Sequence, residues 1–239
     1  MSGGVRVTGR RPRGGLPATL GVAFAFASGG LAAQQPGARG SAGLTARFAE
    51  RAVQTREIVY FLRQPETHAF DLYHDYTETK EGVNQYLNIV RAGSTVSNTK
   101  AMVLDTGEPL PTKTLKGEAI TKAGLDIGEP VKPETEVVVI PFPAVRKGQS
   151  IRLRISETYT DSARYRLEGD ELIWDRSLGR PENAVVLPAG WSLTRSAVPA
   201  TVTLTGDGRV RLDFVNPRLD EIQVLIVARR RPGGPGGSR

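Results

Sequence analysis

Hydrophobic and polar residues alternate along this chain in many short segments. In residues 150–159, Ile151, Leu153 and Ile155 alternate with charged and polar residues, and residues 209–215 repeat the pattern. A period of two is typical of a β-strand with one buried and one wet face. Both segments therefore predict half-buried strands.

The same pattern predicts strands over most of the chain. The further predicted segments are 57–63, 69–76, 85–91, 100–104, 136–142, 164–167, 171–175, 184–187, 191–195, 201–205 and 222–228. Glycine-containing turns predict two hairpins, 201–205 with 209–215 and 164–167 with 171–175. Residues 44–52 allow one short helix, and residues 105–135 indicate a long connection with room for one strand.

Short strands separated by regular turn signals predict an all-β fold. The pattern favours an antiparallel immunoglobulin-like β-sandwich, with a second, smaller β-unit left open. This β-sandwich region covers residues 44–228. A sub-boundary near residue 160 would separate two units if the region is not a single sandwich.

The first 33 residues have the pattern of a secretory signal peptide. Arginines precede residue 14, residues 16–27 are apolar, and small residues follow up to Ala33. Such an order is typical of a cleaved export signal, whereas a membrane-spanning helix needs roughly 20 apolar residues. We expect cleavage near Ala32 or Ala33, although a retained anchor stays open. Residues 34–43 then form a flexible linker, and the mature protein is expected in the periplasm or outside the cell, without stable membrane insertion.

The net charge of +7 comes from the two ends of the chain. Residues 1–43 hold five arginines and residues 229–239 hold four, with no acid in either segment. The residues between them carry slightly more acids than bases, so no nucleic-acid-binding surface is expected on the folded region. Residues 229–239 predict a disordered basic tail that touches anionic surfaces or protects the preceding strand from aggregation.

Several chemistries are disfavoured by composition. The absence of cysteine excludes disulfides, thiolate zinc sites and thiol nucleophiles. On one strand, the two histidines His68 and His74 would lie about 20 Å apart, so we expect packing roles for them rather than one metal site. The HExxH, Walker, GxGxxG and GxSxG motifs are absent. We therefore expect no cofactor and favour a non-catalytic protein.

An acidic stretch is the one candidate for a metal. Asp170, Glu171 and Asp175 follow Asp161 and Glu168 in and around the predicted hairpin. Oxygen ligands of this kind bind calcium in extracellular proteins. Because the spacing fits no calcium-loop motif, solvated hairpin acids are the favoured interpretation and no metal is expected.

Four aromatic residues are candidates for ligand binding. Trp174, Trp191, Tyr159 and Tyr165 are of the types that stack on sugars. In a sandwich such side chains more often pack in the core, where they bury a large area. Core or rim packing is the favoured interpretation.

Two phrases resemble a known family. They are YFLRQPETHAF at 60–70 and VLPAGW at 186–191. Together they resemble the N-terminal non-catalytic β-sandwich domain of M61-type and M1-type metallopeptidases over residues 53–228. Without HExxH, the catalytic zinc domain of those enzymes has no counterpart. The resemblance implies a secreted sandwich fold without peptidase activity, and it transfers no catalytic residue.

These observations favour a secreted or periplasmic non-catalytic binding or structural module of the bacterial cell envelope. Its partners would be an envelope protein, a polysaccharide or a second copy of the chain. One alternative is a carbohydrate-active enzyme using two carboxylates. Another is an assembly protein that pairs through an exposed sheet edge, for which Val224 and Ile226 in the last predicted strand are the test positions.

Overall fold

The computed structural model describes residues 56–218 and 220–232. This part of the chain contains fifteen β-strands, one turn of 3-10 helix at Pro65–Thr67 and one short α-helix, α1, at Glu118–Lys122. The strands in chain order are β1 Arg56–Leu62, β2 Ala69–Glu78, β3 Gln85–Ile89, β4 Thr95–Val103, β5 Pro109–Leu110, β6 Lys113–Lys116, β7 Glu136–Pro141, β8 Ile151–Thr160, β9 Tyr165–Glu168, β10 Glu171–Leu178, β11 Glu182–Val186, β12 Trp191–Ser196, β13 Thr201–Leu204, β14 Val210–Val215 and β15 Ile222–Arg230.

Eight of these strands form one large sheet. Its order is β13-β14-β11-β1-β2-β8-β4-β5. All of the pairs are antiparallel except β1 with β11, which run parallel. Strands from both sides of residue 160 belong to this sheet, since β13, β14 and β11 join the five earlier strands through the pairing of β11 with β1.

Two smaller sheets complete the fold. The four-stranded sheet has the order β12-β15-β10-β9, and the three-stranded sheet has the order β3-β7-β6. Both predicted hairpins are confirmed, β9 with β10 and β13 with β14. Gly169 and Gly208 in their turns adopt φ of 57° and 77°, the left-handed region that favours glycine.

A single apolar cluster joins the three sheets. It contains inward-facing residues of the large sheet together with residues of both smaller sheets, among them Trp174 and Ile140. The two smaller sheets therefore pack against the same face of the large one. The expected all-β sandwich is confirmed.

The connection at 105–135 is more structured than the sequence predicted. It holds β5, β6 and α1, and Leu115 of β6 lies opposite Val137 of β7. Val137 also packs with Ile120 of α1 and Ile127 in a separate apolar cluster, on the face of the three-stranded sheet turned away from Val138 and Ile140. Alternate residues of β7 therefore pack in two separate clusters. The sequence could not show this, because residues 137–139 are all valine.

The predicted start of the basic tail, at residue 229, lies within the last strand. Strand β15 continues to Arg230, and the Arg229 guanidinium lies 2.8 Å from a Glu171 carboxylate oxygen. The Arg231 amide donates to the Gly190 carbonyl at 2.7 Å. Cross-strand acids and carbonyls thus fix these arginines, so a disordered segment starting at residue 229 is wrong. Residues 233–239 lie outside the described part.

The N-terminal predictions fall on residues outside the described part. They are the signal peptide at 1–33, the linker at 34–43 and the helix at 44–52. Within residues 56–218 and 220–232, no helix is long and apolar enough to cross a membrane. Export and cleavage stay predictions.

Candidate binding cavity

A polar cavity lies where the three sheets meet. Its floor is a row across the large sheet, in which Tyr60 of β1 lies opposite Leu72 of β2, and Leu72 lies opposite Glu157 of β8. Neighbouring strands are about 4.8 Å apart, so the Cα atoms of Tyr60 and Glu157 are separated by about 10 Å. The floor thus ends in a tyrosine hydroxyl on one side and a carboxyl on the other.

The smaller sheets supply the walls and the mouth. Asn88 of β3 forms one wall and Arg176 of β10 the other, while Arg91, Arg180 and Glu221 stand half-buried or exposed at the mouth. The cavity has a volume of about 160 Å³. A space of that size holds about ten waters or a ligand with a similar number of heavy atoms. We call it the junction cavity.

Three arginines surround the Tyr60 end. Burial raises the pKa of the Tyr60 hydroxyl, and the charges of Arg176, Arg91 and Arg180 partly oppose that rise. Arg91 is held in place, since it donates to Ser177 Oγ at 2.8 Å and to a Glu221 oxygen at 3.4 Å. Arg91 and Arg180 thus place positive charge at the Tyr60 end, while the Arg176 guanidinium extends over Tyr159, 5.9 Å from its ring centre.

Arg176 is a charged side chain in the core. It is 6% exposed, and its guanidinium lies 4.9 Å from the centre of the Phe70 ring. Nη1 donates to the buried carboxylate of Asp161 at 3.0 Å, whereas Nε has no hydrogen-bond partner. Burial lowers the pKa of the Arg176 guanidinium. Nη1 of Arg180 is also buried without a partner.

Glu157 occupies the opposite end of the floor and is 4% exposed. Its Oε2 accepts a hydrogen bond from Asn88 at 2.8 Å, and Oε1 lacks a partner of ordinary hydrogen-bond geometry. Burial raises the pKa of Glu157 to about 7, against the opposing effects of Asn88, Thr99 and Tyr159. This carboxyl therefore changes its charge near neutral pH.

The two histidines lie apart and in different settings. His68 lies just before β2, where it ends the 3-10 turn with φ 53°, and its Nδ1 lies 2.9 Å from the Tyr165 carbonyl. His74 is buried on β2 beside the cavity, with Nδ1 3.4 Å from the Tyr86 hydroxyl. Among the described residues, no group of three or more histidine or acidic side chains is placed to hold a metal ion.

The acidic candidates do not converge. Asp170 is exposed at the hairpin turn, Glu171 pairs with Arg229, and Asp175 accepts a hydrogen bond from Gln223. Asp161 is fully buried, where it binds Arg176 and Arg164 at 3.0 and 3.2 Å. It thus serves as an anchor for arginines.

The four candidate aromatics are all buried. The Trp174 ring packs 5.4 Å from Tyr60, and Trp191 Nε1 donates to Gln64 at 2.9 Å. Tyr165 donates its hydroxyl to the Arg63 carbonyl. Tyr159 differs from the others, because it borders the junction cavity. Core packing accounts for the first three positions.

Sequence reasoning missed the residues that line the cavity. The alternation of Ile151, Leu153 and Ile155 continues to Glu157 and Tyr159, which places a carboxyl at an inward position. That continuation was the available signal for Glu157. Arg176 follows the same rule in β10, where the predicted strand stopped at residue 175, three residues short of the end at Leu178.

The fold and the cavity define an all-β sandwich protein with a polar cavity at the junction of its sheets. No family model and no curated protein matches the sequence. Among solved structures, it is similar to an M1 zinc metallopeptidase from Deinococcus radiodurans, with 14% identity and a TM-score of 0.41 over 74% of this chain and 42% of that one.

Two further structures are similar over 72% of this chain. One is an aminopeptidase N family protein from Idiomarina loihiensis, with 9% identity, a TM-score of 0.41 and 29% of its length covered. The other is a Legionella pneumophila protein provisionally assigned as nutrient binding, with 7% identity, a TM-score of 0.39 and 65% covered. This chain thus spans less than half of the M1 and aminopeptidase N chains, and the predicted partial resemblance to M1-type enzymes is confirmed.

Proposed function

We propose that the protein is an exported, non-catalytic binding module that holds a small polar molecule in the junction cavity. The observation that carries this proposal is the pair of unpartnered buried atoms, Arg176 Nε and Glu157 Oε1, in the wall and floor of the cavity. The two charged residues line the cavity, so a polar molecule bound there would offset part of the cost of burying them.

The energetic argument supports a ligand over a purely structural role. Burial of a charged group costs several kcal/mol unless hydrogen bonds compensate for the lost water, and apolar residues of similar volume stabilise a core at least as well. Positions that weaken the fold in this way are concentrated at functional sites. The polar floor and wall therefore favour binding.

Export rests on the N-terminal pattern of arginines, apolar residues and small residues before residue 34. The test is expression of the full chain in a bacterial host, followed by cell fractionation and mass spectrometry of the intact protein. We expect a periplasmic or secreted product that lacks about the first 33 residues. A full-length cytoplasmic product would contradict export.

Binding is tested by thermal unfolding of the purified protein in the presence of D-gluconate, D-glucitol, hexanoate, 6-aminohexanoate or phosphate. A ligand that binds only the folded state raises Tm by mass action. We expect at least one probe to raise Tm of the wild type and to lose that effect in Arg180→Gln. Arg195→Gln on β12, an exposed arginine away from the cavity, is the matched control. Equal responses of both variants to every probe would contradict a binding role of the cavity.

A second candidate function is the carbohydrate-active enzyme with two carboxylates. In its favour, Glu157 has a pKa raised to about 7, as a general acid requires, and Glu221 borders the same cavity. Against it, about 160 Å³ holds about ten heavy atoms, fewer than the two sugar rings that flank a glycosidic bond. Turnover of aryl glycosides that is lost in Glu157→Gln would establish the enzyme in place of the binding module.

The assembly role stays a prediction, but the structure changes its test. Val224 and Ile226 are buried on β15, between β10 and β12, so lysine there would disrupt the core instead of a sheet edge. The large sheet ends at β13, where Val202 and Leu204 are 51% and 68% exposed. Leu204 is therefore the informative position.

A further inference from the structure

We propose that the junction cavity binds a small hydroxylated carboxylate, with the carboxylate at the arginine end of the floor and a hydroxyl at Glu157. This inference rests on the proposed binding function and names the chemical class of its ligand. It follows from the difference between the two ends, the balance of charge and the length of the floor.

Charge at the arginine end favours an anion. Arg91 contacts Glu221 at 3.4 Å and Arg176 contacts Asp161 at 3.0 Å, so each has a carboxylate nearby. Among the described residues, no acid lies within ion-pair distance of Arg180. Asp161 is shared between Arg176 and Arg164, at 3.0 and 3.2 Å, so the arginine end carries excess positive charge that favours an anion.

The geometry of the free donors also favours a carboxylate. Arg176 Nε and Arg180 Nη1 are N–H groups of planar guanidinium forks, and both lack partners. Guanidinium donors match the planar, two-oxygen geometry of a carboxylate and form charge-assisted hydrogen bonds with it. A neutral sugar alcohol would leave these donors with weaker acceptors.

The Glu157 end requires a group that both donates and accepts. Asn88 already satisfies Oε2, whereas Oε1 has no partner of ordinary hydrogen-bond geometry, and the residue lines the cavity. Because this carboxyl changes its charge near pH 7, an ammonium partner would pair well only with the ionised form. A hydroxyl can donate to the carboxylate and can accept from the carboxylic acid, so it suits both states.

The length of the floor and the volume of the cavity limit the size of the ligand. The ends of the floor are about 10 Å apart between Cα atoms, and side chains occupy part of that span. The volume of about 160 Å³ corresponds to about ten ligand heavy atoms. A hydroxy acid of roughly four to six carbons fits the length, and D-gluconate, with about 13 heavy atoms, lies at the upper limit of the volume.

Isothermal titration calorimetry of the purified exported protein tests the class with four matched probes. D-Gluconate has a carboxylate and hydroxyls, D-glucitol lacks the carboxylate, hexanoate lacks the hydroxyls, and 6-aminohexanoate carries an ammonium in their place. Phosphate serves as the dianion. We expect D-gluconate to bind at least about tenfold more tightly than each of the other probes, since one charge-assisted contact changes affinity by about that factor.

Two cavity variants test which residue binds the carboxylate of the ligand and which binds its hydroxyl. Arg180→Gln should weaken D-gluconate binding about tenfold and bring it close to that of D-glucitol, while Arg195→Gln leaves it unchanged. Glu157→Met, which keeps the volume without an acceptor, should remove the preference for D-gluconate over hexanoate. If that variant does not fold, Glu157→Gln, which keeps the side-chain shape, should reduce the same preference.

The outcomes separate the two proposals. Tighter binding of phosphate, 6-aminohexanoate, D-glucitol or hexanoate, lost in Arg180→Gln or Glu157→Met, overturns the hydroxylated carboxylate and leaves the binding module in place. Binding of D-gluconate that neither variant changes overturns the assignment of the cavity. If no probe binds in a way that depends on these residues, both proposals fail.

Discussion

The aromatic core and the junction cavity are built on the same strand faces but have opposite chemistry. Along β8, Leu153 and Ile155 face the core, and the next inward position is Glu157. Along β10, Trp174 faces inward and Arg176 follows on the same side. Backbone alternation therefore decides which side chains are buried, and the residue type decides whether burial stabilises the fold or forms a polar site.

The comparison predicts opposite effects of truncation in the two regions. In the aromatic core, a side chain contributes buried apolar area and ring contacts. At Glu157 in the cavity, a carboxyl without an ion-pair partner is desolvated and incompletely hydrogen-bonded, so its neutralisation relieves a cost. The free energy of unfolding of variants on neighbouring strands tests this contrast directly.

The largest effect is expected for Trp174→Ala. Trp174 is fully buried, and its ring packs 5.4 Å from that of Tyr60. Loss of its contacts and the resulting cavity should lower the free energy of unfolding by about 3–5 kcal/mol in urea denaturation. Trp174→Phe is the control and should cost less, because it keeps an aromatic ring and removes an indole N–H that has no partner. A cost below about 1 kcal/mol for alanine would contradict the assignment of Trp174 to the core.

An effect of opposite sign is expected for Glu157→Gln above neutral pH. Burial raises the pKa of Glu157 from 4.5 to about 7. Between these values the native state binds a proton that the unfolded state has lost, so stability falls as pH rises through this window and the full penalty remains above pH 7. Glutamine has no such penalty. From pH 5 to pH 8, the stability of the variant relative to the wild type should therefore increase by roughly 2–3 kcal/mol.

Urea denaturation of both proteins at pH 5, 6, 7 and 8 measures this difference. Asp170→Asn, at an exposed turn position, is the matched control and should show a nearly constant difference across the series. A difference between Glu157→Gln and wild type that does not change with pH would show that Glu157 titrates near its ordinary value. The cavity would then be as well hydrated as the surface.

The contrast also explains how much could be read from the sequence. Alternation in residues 150–159 and 209–215 gave correct strands, and glycine turns gave both hairpins, because these signals are local. The parallel pairing of β1 with β11 and the meeting of three sheets depend on contacts between residues more than a hundred positions apart. Glu157 lies within the predicted strand 150–159 without a polar pattern to mark its inward position, and the strand predicted at 171–175 stops before Arg176, so the polar cavity stayed hidden.

The smallest effect on stability is expected at the outer edge of the large sheet. Leu204 on β13 is 68% exposed, so Leu204→Lys should change the free energy of unfolding by less than about 0.5 kcal/mol. If copies of the chain pair through this edge, the same substitution should shift sedimentation from dimer to monomer, because an edge lysine opposes strand pairing. Thr203→Lys on the same strand is the comparison for a polar position. A wild type that sediments as a monomer at high concentration would remove the edge from consideration and leave the junction cavity as the functional region.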